Sequence, residues 1–119
     1  MRILKIGTQK YTKVIAIDER GSGNANHEYH ITWDRDNNGY IATQSIKFQN
    51  GPIKEQGVNG IQNEDLICIV IDRLEGFQSG DFACEDNGKA IADLHRALAN
   101  LRKRTDEREA RGVEGTHTV

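Results

Sequence analysis

The chain has 119 residues, one domain's worth of sequence with a modest core. Sixteen Lys and Arg against 18 Asp and Glu give a net charge of −2, which excludes a protein that coats nucleic acid by bulk positive charge. The longest apolar run, Leu66 to Ile71, is far short of the about 20 residues of a membrane span, and Met1-Arg2-Ile3-Leu4-Lys5-Ile6 lacks the apolar stretch of a signal peptide.

The first half carries strand signals. Val14-Ile15-Ala16-Ile17 is β-branched and apolar. Arg20 to Asn26 is turn chemistry, because Gly and Asn tolerate positive φ. Tyr29, Ile31 and Trp33 then alternate with His30, Thr32 and Asp34 at period two. Asp34 to Gly39 is a second turn ending in Asn-Gly, and Ile41, Thr43, Ser45 and Lys47 alternate with Ala42, Gln44, Ile46 and Phe48. These signals predict an antiparallel meander of three strands, four if residues 2–7 pair, with one wet face.

The second half changes period. Gln49-Asn50-Gly51-Pro52 contains the only proline and marks a boundary between a sheet region, 1–50, and a helical region, 51–119, of one compact domain. Asn63-Glu64-Asp65 offers an N-cap and two acids for a first helical turn. Ile67, Val70, Leu74 and Phe77 step along one helix face. A short break at 78–81 precedes a second helix from about Glu85 to Arg111, with Gly112 placed to end it. Its seam, Ile91, Leu94, Leu98, Leu101, Thr105 and Arg108, has heptad spacing. The fold class is therefore α+β: an N-terminal antiparallel β-meander followed by a C-terminal antiparallel two-helix hairpin. Cys68 and Cys84 are expected as reduced thiols of a cytosolic protein.

Helical rise makes the second helix outrun the first near residue 100. The overhang, Arg102 to Arg111, is either a solvated, salt-bridged end or an anion site, because its seam passes from leucines to Thr105 and Arg108 with Arg104 one turn before. At the other end of the hairpin Phe77, Phe82 and Asn87 gather about the turn. They either close the core or form a stacking platform for a purine, with Asn87 reading a base edge. No phosphate loop, nucleophile motif or metal-ligand spacing is present, so no catalytic residue, metal or cofactor is expected. The four histidines are His27, His30, His95 and His117, and Asp34 to Gly39 lacks the glutamate of a calcium loop.

Several segments together carry a resemblance: Asn50 to Glu55, Gly57 to Gly60, Glu64 to Leu66, Asp72 to Gln78, Phe82 to Cys84, and Arg104 to His117. They resemble the phage hairpin domain shared by Thoeris anti-defence sponges and anti-CBASS sponges. The β-rich front half points to the Thoeris anti-defence one branch. The resemblance implies a non-enzymatic protein of the host bacterial cytoplasm during infection. Such a protein binds glycocyclic ADP-ribose, and in several members cyclic trinucleotides, and withholds them from their effectors. It implies a homo-oligomer, dimer or hexamer, with no membrane and no nucleic acid polymer as partner. By resemblance Phe77 and Asn87, with Phe82 and Lys54, belong to the ADP-ribose pocket. Arg104, Thr105 and Arg108 belong to the trinucleotide pocket. The rival readings are a messenger-cleaving enzyme using His27, His30 and Asp34, and a phage structural or nucleic-acid-binding accessory protein using the basic overhang.

Overall fold

The computed structural model describes residues 1–7 and 9–119, in two units, Met1–Ile61 and Gln62–Val119. The first is a four-stranded antiparallel sheet in sequence order: β1 (Arg2–Ile3), β2 (Thr12–Ala16), β3 (Glu28–Arg35) and β4 (Tyr40–Lys47). Arg2 and Ile3 do pair, against Ala16 and Ile15, so the meander has its fourth strand. Register sets Val14 opposite Ile31, Ala16 opposite Tyr29, and Tyr29 opposite Ile46. One face therefore collects Val14, Ala16, Tyr29, Ile31, Trp33 and Ile46, while the other carries Lys13, His30, Thr32, Thr43 and Ser45 together with Ile15 and Ile41, as period-two alternation requires. Tyr29 and Phe48 meet edge to face at 5.7 Å. Between β3 and β4, Asp36, Asn37 and Gly39 adopt positive φ, and Asp34 Oδ1 accepts from the Gly39 amide at 3.1 Å.

The sheet unit runs past the proline to Ile61, because amide side chains tie the following loop back. The Asn50 amide donates to Asn59 Oδ1 at 2.8 Å, Asn59 Nδ2 returns to the Asn50 carbonyl at 2.8 Å, and Gln49 Oε1 accepts from the Asn59 amide at 2.9 Å. A short helix, α1 (Ile53–Gln56), sits inside that loop, and Ile61 then bridges Phe48 in parallel. Gly60 is required there: a Cβ would lie 2.4 Å from the Phe48 carbonyl carbon.

The second unit is the hairpin of α2 (Asn63–Gln78) and α3 (Glu85–Ala110). The α2 cap sits one residue earlier than the composition implied. Gln62 is the N-cap, and Asp65 Oδ2 accepts its amide hydrogen at 2.8 Å. Asp65 reaches back three residues, which Asn63 could not have used it for. Glu75 lies 3.8 Å from His95, and Glu64 shares a cleft with residues near Thr105, so the helices run antiparallel. Two helices alone bury little: Ile71 is the one buried apolar side chain of this unit among the described residues, and Ile69 and Val70 are exposed. No described helix is long and apolar enough to cross a membrane.

Candidate functional site

The connection between α2 and α3 is built by one side chain. Gln78 Nε2 donates to the Cys84 carbonyl at 3.0 Å, and Gln78 Oε1 accepts from the Cys84 amide at 2.9 Å. This reciprocal pair mimics a backbone ladder and closes residues 79–83 into a fixed loop. Cys84 then caps α3, its Sγ accepting from the Asn87 amide at 3.4 Å. Phe77 and Phe82 consequently stand edge to face, 6.4 Å between centroids. Asn87 Nδ2 donates to the Phe82 carbonyl at 3.3 Å, which holds the amide beside the rings. Phe82 is 78% exposed, so it is not core closure. The structure thus brings Phe77, Phe82 and Asn87 together at the hairpin tip.

Sequence reasoning missed Arg73 at this place. Its guanidinium lies 5.1 Å from the Phe77 ring centroid. The i, i+4 spacing of Arg73 and Phe77 on α2 was the available signal. Around the tip Asp81, Glu85 and Asp86 are acidic, and Lys89 is held to Glu85 at 3.3 Å. Arg73 is therefore the cation best placed to meet an anionic ligand beside the rings. Lys54, expected with this group, is an exposed residue of α1 in the first unit.

The far end of the hairpin differs from the simple overhang. Glu64, in the first turn of α2, lines a cleft of about 300 Å³ with Leu98, Arg102, Thr105, Asp106 and Glu109. Residues of α3 as far as Glu109 thus share a cleft with the first turn of α2, so the overhang is not wholly bare. Thr105 is half-buried in this cleft, beside Arg102; Arg104 is exposed and is not part of its lining.

Arg108 takes a third course, neither exposed nor waiting for an anion. It is 8% exposed, and its own C-terminal segment folds over it. Its Nε donates to Glu114 Oε2 at 2.9 Å, Nη1 to the Thr118 carbonyl at 2.5 Å, and Nη2 to the carbonyls of Val113 and Thr116 at 3.0 and 3.2 Å. Gly112, at φ +72°, turns the chain so that this can happen. Four donors of the guanidinium are engaged within the chain, so a buried charge is compensated without a ligand.

The first unit has its own polar cleft, about 320 Å³, lined by Asp18, His27, Glu28, Lys47, Phe48, Asn50 and Asn59. Asp18 Oδ2 accepts from the His27 amide at 2.9 Å, and that bond, the largest influence, holds its carboxyl below the usual carboxylate range. Asn26 Nδ2 donates to the Asp18 carbonyl at 2.7 Å, and Arg2 donates to Asn26 Oδ1 at 2.7 Å. His27 Nε2 faces the Ser22 carbonyl at 2.9 Å, so it carries the proton. His27 and Asp34 are seven strand positions apart, about 23 Å, and are not brought together.

Residues 41–106 match the Acb2/Tad1 hairpin domain. The chain belongs to the Acb2/Tad1 hairpin family. It is also 56% identical over 79 residues to Thoeris anti-defense 1 of Bacillus phage SBSphiJ7. That match covers 66% of this chain and 54% of the relative, so the chain spans about half the relative's length. The Acb2/Tad1 match includes the aromatic tip, Arg104 and Thr105, whereas Arg108 and the segment that folds over it lie beyond its end.

Proposed function

We propose that this protein is a phage anti-defence sponge, which binds cyclic nucleotide immune signals and holds them unchanged. Its first ligand is glycocyclic ADP-ribose, taken at the aromatic tip; its second is a cyclic trinucleotide, taken near the end of α3. The observation that carries the reading is the tip itself: two phenylalanine rings 6.4 Å apart, an amide and a guanidinium, presented on a loop clamped by Gln78. A purine gains about 1–3 kcal/mol by stacking on such a ring. Charge-assisted bonds from Arg73 to a pyrophosphate add to that, and Asn87 reads the base edge. For the trinucleotide, Arg104 and Thr105 supply the phosphate contacts. Arg108 joins them on this reading only when its C-terminal cover is displaced.

The relative's name, Thoeris anti-defense 1, supports an anti-defence role, and the reading extends it to this chain. Exposed Ile69 and Val70 on α2 support a homo-oligomer, dimer or hexamer, which would bury them. The protein acts in the host bacterial cytoplasm during infection, where its ligands are made. Calorimetric titration of Phe77→Ala and Arg104→Ala with both ligands tests the two-site reading. Phe77→Ala is expected to lose glycocyclic ADP-ribose and keep the trinucleotide, and Arg104→Ala to do the reverse. No heat from either ligand with the unmutated protein defeats the proposal.

A further inference from the structure

The outer edge of β4 has a hydrogen-bonding pattern that can be read residue by residue. The Phe48 amide donates to the His27 carbonyl at 2.7 Å, so Phe48 faces β3. In an antiparallel pair the direction alternates, so Tyr40, Ala42, Gln44 and Ile46 also turn their backbone groups toward β3. Ile41, Thr43, Ser45 and Lys47 turn theirs outward. The carbonyl of Lys47 accepts from the Ile61 amide at 2.9 Å, which agrees with this parity and covers that end of the edge. Ile41, Thr43 and Ser45 have no backbone partner on the outer side among the described residues.

This edge lacks the usual devices against strand addition. The strand is eight residues long, has no proline, and has no charged residue before Lys47. Tyr40 and Ile41 are 72% and 65% exposed.

We propose that β4 pairs edge to edge with β4 of a second copy of this chain, antiparallel about a twofold axis through Thr43, to form one continuous eight-stranded sheet. A twofold normal to the sheet keeps each face on its own side, so residues of like parity must face each other. Three registers then compete. Centring on Gln44 sets Ile41 against the partner's Lys47, whose carbonyl is already taken by Ile61. Centring on Ala42 leaves Ser45 opposite the partner's Gly39, beyond the strand. Centring on Thr43 pairs Ile41 with Ser45 and Thr43 with Thr43, using every free outward donor and acceptor of the three residues. The side chains agree with that register. Tyr40 falls against the partner's Ile46, an aromatic and β-branched pair, on the same face as Val14 and Tyr29. Lys47 falls at the partner's turn, which carries Asp36, so the ends are complementary in charge.

The register predicts which cysteine crosslinks. In a hydrogen-bonded pair the two Thr43 Cα atoms are about 5.5 Å apart, inside the range a disulfide spans. Two Ala42 or two Gln44 positions, each offset by two residues, are about 8 Å apart and outside it. The test places Thr43→Cys, Ala42→Cys and Gln44→Cys singly in the full chain carrying Cys68→Ser and Cys84→Ser, since both native cysteines are free and exposed. After mild oxidation, a non-reducing gel is expected to show a covalent dimer for Thr43→Cys and none for the other two. Absence of the Thr43→Cys dimer, or its appearance at 42 or 44 instead, overturns the proposal. Amide exchange on the unmutated protein gives a second readout that needs no variant. Ile41, Thr43 and Ser45 amides are expected to lose protection on dilution while Ala42 and Gln44 keep theirs; equal behaviour of the two sets contradicts the pairing.

Discussion

Arg108 and Glu114 lie 2.9 Å apart across the turn that ends α3, and the ion pair pins the C-terminal segment to the helix it has just left. The position reads as the last residue of an apolar seam, yet it is filled by a guanidinium whose partners all come from residues 113–118. Arg108→Ala removes the charge and leaves Glu114 and the carbonyls of Thr116 and Thr118 unanswered, while the Val113 carbonyl keeps its bonds from the Thr116 amide and hydroxyl. Because Glu114 is about a third exposed, the expected loss is about 2–3 kcal/mol, less than for a fully buried pair. Arg104→Ala, on the exposed side, is expected to stay within about 0.5 kcal/mol of the unmutated protein. Urea melts of both variants check this, and equal midpoints would show that the ion pair contributes nothing.

At the hairpin tip, Arg73 should act on the ligand's charge and not on its base. Arg73→Gln is expected to weaken glycocyclic ADP-ribose binding about tenfold or more, the scale of one charge-assisted contact, and to flatten its salt dependence. Adenosine, which has no phosphate, should bind both forms alike. Phe82→Ala, at an exposed ring, should weaken both ligands while leaving the melting temperature nearly unchanged. Titrations in two salt concentrations separate these outcomes, and an unchanged salt slope would remove Arg73 from the site.

Two glycines give opposite stability predictions. Gly88 lies inside α3, where an added Cβ would meet only the Gln78 Nε2 atom at an ordinary 3.5 Å. Gly88→Ala is therefore expected to stabilise the hairpin by about 1 kcal/mol. Gly60→Ala would force the Phe48 backbone away and open the bridge to Ile61, so it should lower the melting temperature of the sheet unit. Differential scanning calorimetry of the two variants reads both signs at once.

Asp18 makes the sheet unit sensitive to acid. Its carboxylate is favoured in the folded state, chiefly by the His27 amide, so its folded pKa lies below the ordinary 3.8. A lowered folded pKa gives stability that is present above the unfolded value and lost as pH falls through the folded one. The melting-temperature gap between the unmutated protein and Asp18→Asn should thus be full near neutrality and shrink below about pH 4. A gap independent of pH would contradict the role given to this carboxylate.

The meander and hairpin were legible because both rest on local periodicity: period two through Tyr29, Ile31 and Trp33, and heptad steps from Ile91 to Leu101. The tip was legible for the same reason, since Phe77, Phe82 and Asn87 are close in sequence. What escaped depended on side chains bonding to distant backbone. Nothing in the pattern says that Asn50 and Asn59 would clasp and carry the sheet unit to Ile61. Nor does spacing say that the segment after Gly112 would turn back and satisfy Arg108. Composition shows a buried arginine's cost, and only the path of the chain shows what meets it.

The central claim is capture without chemistry. Protein is mixed with glycocyclic ADP-ribose, unbound ligand is removed by filtration, and the retained complex is heat-denatured and its ligand weighed by mass spectrometry. The account predicts recovery of ligand of unchanged mass, in proportion to protein, with little recovered from Phe77→Ala. Nothing retained by the unmutated protein, or a released product of altered mass, would contradict it.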